Sequence, residues 1–183
     1  MLLQQLISYK QTIGLRMWAF AKVPMLNWVR PSIVELSDKR VEIAIPLCRR
    51  NRNHMKSMYF GVLVCGADVA GGLLALKTSY DLKQPVSLIF KDFTAQFFRR
   101  PDAQTHFICE QGKQITNLVK KAVRTGKREE ITVEVIATCP EKSGDEPVAK
   151  FGLTLSLKKA HKKPGGVIAD IIGDILPLPK AQS

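Results

Sequence analysis

The stretch SMYFGVLVCGADVAGGLLAL, residues 57–76, is an apolar run with a single charged side chain, Asp68, in its middle. About 20 such residues are enough to cross a bilayer, and they are equally able to form the buried helix of a globular core. The glycines favour the core. Gly61, Gly66, Gly71 and Gly72 each weaken a lone helix by roughly 1 kcal/mol relative to alanine, which is offset only where another element packs closely. Amphipathic segments on both sides also call for a core. The run is therefore read as a core helix and not as a membrane span. A helix with almost no polar face has to be enclosed, and a sheet curled around it is the direct solution.

The flanking segments supply that sheet. Val41, Ile43, Ile45 and Leu47 alternate with Glu42, Ala44 and Pro46, the period of a half-buried strand, and residues 32–36 pair with it across a Ser37-Asp38-Lys39 turn. Residues 86–99 read as a long strand whose apolar phase shifts near Lys91-Asp92, as at a bulge. Further strands are expected at 105–109, 131–139 and 151–157. Ile115, Leu118, Val119, Ala122 and Val123 mark a helix over 113–127. The apolar residues of 1–20 are loosely helical, and that pattern fades near Pro24. Most connections are too short for parallel crossovers, so the fold class is α+β with an antiparallel sheet. The organisation expected is an N-terminal helical segment (1–28), one domain (29–160) and a C-terminal tail (161–183). In the tail, the spacing over residues 167–176 predicts a short amphipathic helix with an acidic polar face, suited to an apolar groove on the same assembly or on a partner protein.

Within the core helix, Gly61, Cys65, Asp68 and Gly72 stand at i, i+4, i+7 and i+11 and share one face. The sequence places the helix start near Ser57 as N-cap. Free amides at a helix N-terminus can polarise a carbonyl oxygen, and a carboxylate further along can activate water or attack an acyl carbon. Cys65 lies on the same face and is read as a small buried thiol.

NHMKSMYFG followed by LVCGADVA resembles the signature of hotdog-fold thioesterases of the phenylacetate-pathway type: an Asn, His-Gly-Gly six residues later, then Leu-Ala-Asp-x-Ala on the central helix. Asn53, Gly61 and Asp68 fall on the Asn, the second Gly and the acid. FFRRPDA is similar to the family's Phe-x-Arg-Pro-Ala segment, with Phe98, Arg100 and Pro101 at its fixed positions. Tyr59-Phe60 stand in place of His-Gly. The resemblance covers roughly residues 30–158 and is strongest to a subgroup with an added N-terminal helix and an extra helix between late strands. It implies a hotdog fold and hydrolysis of acyl-coenzyme A or a similar carrier thioester, with coenzyme A as part of the substrate and no metal or other cofactor. It also implies a homodimer or dimer of dimers with the site between subunits. In that scheme the Gly61 amide stabilises the oxyanion, Asn53 orients the carbonyl or water, and Asp68 is base or nucleophile. Tyr59 and Phe60 line an acyl tunnel, and Arg100 belongs to the substrate-binding set.

The charge balance bears on the carrier. With 28 Lys and Arg against 16 Asp and Glu, the net charge of +12 favours anionic partners. Lys113, Lys120, Arg124 and Lys127 lie opposite the apolar stripe of their helix, where Lys120 and Arg124 could meet coenzyme A phosphates or an acidic carrier protein. Nucleic acid is not expected, because no aromatics that could stack bases interleave with the basic stretches. Four cysteines without a C-x-x-C pair and three scattered histidines suit a reduced cytoplasmic protein without a metal cluster. The rival function is an acyl-thioester-binding hotdog protein without turnover, consistent with the loss of His-Gly.

Overall fold

The computed structural model describes residues 2–160. In chain order the elements are α1 (Leu2–Lys22), α2 (Pro24–Val29), β1 (Ser32–Leu36), β2 (Val41–Ile45), α3 (Phe60–Asp81), β3 (Val86–Phe97), β4 (Thr105–Cys109), α4 (Gly112–Thr125), β5 (Glu129–Thr138), α5 (Pro140–Ser143) and β6 (Pro147–Lys159). The strands form one antiparallel sheet in the order β1-β2-β4-β5-β6-β3. α3 packs against β2, β3, β4, β5 and β6, so a single helix faces five of the six strands. This is the α+β hotdog arrangement. α3 is long and apolar enough to cross a membrane, but 67% of its most apolar window is buried inside this fold.

The core follows the strand alternation. Ile43, Ile45, Phe107, Val135, Phe151 and Leu155 are fully buried from their inward positions, and α4 adds Ile115 and Val119. The register shift expected near Lys91-Asp92 is present between Phe90 and Asp92, opposite β6. Two short helices escape the sequence reading: α2, which begins at Pro24 and ends at Arg30 in a left-handed conformation (φ 57°), and the single turn α5. Both are too brief to show a helical period. The last strand is longer than expected, running over Pro147–Lys159. The helix expected over residues 167–176 lies outside the described residues.

The close approach of α3 to the sheet is enforced by Gly66. A methyl group there would sit 2.4 Å from the ring of Phe107, which is wholly buried. Gly66→Ala is therefore expected to destabilise the protein by about 1–3 kcal/mol through overpacking, even though alanine is the better helix former by about 1 kcal/mol. Urea unfolding would reveal this as a lowered midpoint.

The two edges of the sheet are treated differently. At β1 the polar face of α1 lies along the strand. The Thr12 hydroxyl accepts the Ile33 N–H (2.9 Å), Ser8 donates to the Val34 carbonyl (3.2 Å), and Arg16 donates to the Pro31 carbonyl (3.0 Å) and to Ser32 Oγ (2.7 Å). Covering an edge with a helix blocks strand addition. This also explains why α1 does not bury the residues its apolar pattern suggests. Leu15 and Ala19 are buried with Gln11 and Thr12, while Leu6, Ile13, Met17 and Phe20 remain exposed. At the other end, among the described residues, β3 pairs only with β6 and its outer edge is open over 12 residues. Ile89, Phe90, Phe93 and Phe97 on it are all exposed.

Candidate active site

The loop before α3 and the segment after β3 converge on the helix N-terminus. The Met58 N–H donates to the Pro101 carbonyl (2.8 Å) and the Tyr59 N–H to the Asn51 carbonyl (2.8 Å). The Met58–Pro101 bond thus joins the two motifs, and the Tyr59–Asn51 bond closes the first loop on itself. The buried linchpin is Asn51, which the sequence reading missed. Its side chain accepts the Cys48 N–H (2.8 Å) and donates to the Pro46 carbonyl (2.6 Å). An asparagine that bonds only local backbone carries no periodic or motif signal.

Asn53 organises the same loop. Its side-chain oxygen accepts the Met55 N–H (2.9 Å) and both the N–H and the hydroxyl of Ser57 (3.2 Å each). That leaves its amide NH2 group as the part able to donate to a substrate oxygen. These bonds also correct the expected helix start. Ser57 is not the N-cap: its hydroxyl is committed to Asn53, and α3 begins at Phe60 with Tyr59 at the N-cap and no side-chain cap. The first helical hydrogen bond runs from the Val62 N–H to the Tyr59 carbonyl (2.9 Å). The amides of Phe60 and Gly61 have no protein partner among the described residues. Such amides, at the positive end of a 22-residue helix, can receive an oxyanion. The Tyr59 ring lies against Gly61, where a Cβ would be 2.7 Å from the ring edge. Tyr59 and Phe60 meet edge to face at 5.4 Å, both more than half exposed.

Asp68 stands two turns further on. It opens into a cavity of about 260 Å³ bounded by α1, α2, α3 and β3, and among the described residues it is the only charged side chain in the lining. Among the described residues its carboxyl has no hydrogen bond or ion pair, so neither a lysine nor a set of amides neutralises it. Burial alone pushes its pKa up from 3.8 to about 6. Cys65, one turn before it, is partly buried, and its thiol is raised first by burial and then by the nearby Asp68 charge. A thiol so shifted is a poor nucleophile, in line with the structural reading of that cysteine.

The basic residues stand apart from this cavity. Lys120 and Arg124 are exposed on α4 and do not line it, whereas the adjacent Lys121 is held by Glu129 (2.6 Å). Arg100 is exposed immediately before Pro101, while Arg99 pairs with Glu146. A His–acid pair is present that the sequence did not announce. His106 Nδ1 lies 2.6 Å from Glu42 Oε1, and Arg40 lies 2.8 Å from the other Glu42 oxygen. The His106 contact, helped by Arg40, holds the Glu42 carboxyl below its ordinary value. Phe107 faces α3, so His106 faces away from it and this network lies on the opposite side of the sheet from Asp68. Among the described residues, no three His, Cys, Asp or Glu side chains converge as a metal site requires.

The family described as Domain of unknown function (DUF4442) matches residues 13–156. No curated protein matches the chain. Among solved structures, PA5026 of Pseudomonas aeruginosa, named a probable thioesterase of unknown function, is 25% identical, with a TM-score of 0.65 over 79% of this chain and 93% of that one. Thioesterase HI1161 of Haemophilus influenzae is 14% identical with a TM-score of 0.59, covering 81% and 92%. OLEI01261 of Chlorobaculum tepidum, of unknown function, is 14% identical with a TM-score of 0.70, covering 81% and 94%. The latter two establish likeness of fold alone. Taken with the sheet-wrapped α3 and its acid, these matches show that the chain belongs to the DUF4442 family, within the hotdog-fold thioesterase superfamily.

Proposed function

We propose that the protein hydrolyses acyl thioesters of coenzyme A or of a similar carrier, with Asp68 as general base. The observation that carries this reading is the unpaired, half-buried carboxyl of Asp68, raised to about 6, in an apolar cavity of an otherwise well-satisfied core. A base with that pKa is ionised at neutral pH and still basic enough to accept a proton from water. Gly61 and the start of α3 supply the oxyanion donors, Asn53 offers its NH2 group to the carbonyl, and Tyr59, Phe60 and Arg100 are assigned to substrate binding around the α3 N-terminus.

One chain does not complete this site. A rise of 1.5 Å per residue puts Asp68 about 10 Å along the axis from Gly61, further than one carbonyl and one water can bridge. The open β3 edge offers the remedy: two copies joined there would bring the acid of one to the α3 N-terminus of the other. Phe93 and Phe97, whose rings pack on Phe151 at 5.7 and 6.0 Å yet remain exposed, supply apolar surface for a second copy to cover. The assembly is a homodimer or a pair of such dimers. A second reading, acyl-thioester binding without turnover, is favoured by the Tyr59 ring lying against Gly61. Release of free thiol from a panel of acyl-coenzyme A substrates distinguishes the two, since only the hydrolase releases it above the uncatalysed rate.

The basic face of α4 is assigned to the carrier's phosphates. Replacing Lys120, Arg124 and Lys127 together by glutamine is expected to raise KM for coenzyme A thioesters several-fold while leaving short thioesters without phosphates unaffected. Exposed charges are screened beyond about 8 Å at physiological salt, so the difference should shrink as ionic strength rises. Equal effects on both substrate types would restrict that face to solubility.

A further inference from the structure

The cavity at Asp68 is closed on one side by residues that have no counterpart in the two motifs. Leu15 and Trp18 of α1 and Leu26 of α2 face Leu73 and Leu76 of α3 and Phe90 of β3 across it. From Asp68 to Leu76 the pocket follows α3 for about 12 Å. Its volume of about 260 Å³ falls just below the roughly 300–1,000 Å³ typical of sites for drug-sized ligands. Apart from the single carboxyl, the lining is hydrocarbon and aromatic ring. An uncharged alkyl chain suits such a wall, and a free carboxylate would be repelled by ionised Asp68. Behind the wall lies a second, outer cavity of about 480 Å³, lined by Ile13, Met17 and Phe20 of α1 among others. Trp18 is the one residue that lines both. Its indole therefore forms part of the wall of each.

We propose that this pocket holds the acyl chain of the substrate, that it takes linear chains of medium length, and that Trp18 sets the upper limit. The inference rests on the thioester reading above and adds the substrate class and the residue that selects it. Each methylene entering the pocket gains about fourfold in affinity, until the chain meets the indole. The N-terminal helices, of which α1 also shields the β1 edge, are then part of the specificity machinery. No atom of Trp18 need touch the thioester, so it acts on chain length and not on the chemical step.

The test uses the full chain and two probe series. One is the set of linear S-alkyl coenzyme A thioethers from butyl to hexadecyl, whose binding requires no turnover. The other is the matching acyl-coenzyme A series, followed by thiol release. For the wild type, affinity and kcat/KM should rise about fourfold per methylene to an optimum near octyl or decyl and then fall. Trp18→Ala removes the indole from the pocket wall and should carry the optimum to chains at least four carbons longer. Leu76→Phe fills the far end and should shorten it, which keeps the test decisive if the tryptophan variant folds poorly. Thioethers that follow this pattern without any thiol release would keep the pocket and remove the hydrolase. Thiol release that depends on Asp68, with an optimum unmoved by either variant, would keep the hydrolase and overturn the pocket. Absence of thioether binding at every chain length would also overturn it.

Discussion

Asp68→Asn is expected to give a protein that is more stable than the wild type and far less active. The buried carboxyl binds its proton in the folded chain at pH values where the unfolded chain has already released it. Wild-type stability therefore falls as pH rises from 3.8 through about 6 and stays lower above that range. A pKa raised by this amount corresponds to about 3 kcal/mol at most. The asparagine variant lacks that penalty, so its advantage should be full at neutral pH and absent below about pH 4. Turnover should fall by about 10²–10⁴-fold, the usual consequence of removing a general base. Denaturant melts at pH 4 and pH 7, beside thiol-release rates, measure both halves. A variant that gained stability and kept near wild-type turnover would leave Asp68 a buried acid without a catalytic role.

Charges placed on the open edge should dismantle the active assembly. Phe93→Lys combined with Phe97→Lys sets like charges facing one another across a two-fold β3 seam, the device by which natural edge strands avoid pairing. Both side chains are exposed within one protomer, so the fold should persist with a modest loss from their contacts on Phe151. The variant is expected to sediment as a monomer at micromolar concentration and to lose as much activity as Asp68→Asn, because acid and oxyanion donors no longer meet. A wild-type protein that is itself monomeric and fully active would remove the shared site.

Much of the fold was legible because its strongest signals are local. Alternation marked β2, β4, β5 and the middle of β6, the Ser37-Asp38-Lys39 turn marked β1, the phase slip at Lys91-Asp92 marked the bulge, and the glycine-bearing apolar run marked α3. The two motifs named the loop that meets the Pro101 segment. What stayed hidden depends on contacts between distant residues or on single hydrogen bonds. Ser57 looked like a helix cap by residue type, yet its hydroxyl is taken by Asn53 and the helix starts three residues later. The apolar residues of α1 suggested a packed face, but the helix is oriented by Ser8, Thr12 and Arg16, which bond the backbone of the edge strand. Trp18 and Leu15 reach the cavity of Asp68 across 50 residues of chain, and no spacing in a sequence encodes that approach.

The pH dependence of thiol release from acyl-coenzyme A by the native protein tests the central claim most directly. If Asp68 is the base, kcat/KM should rise as pH passes through about 6 and level off toward neutrality, and Asp68→Asn should lack that rising limb. Thiol release that is flat across this range, or no release from any chain length, would contradict the assignment of this cavity to thioester hydrolysis.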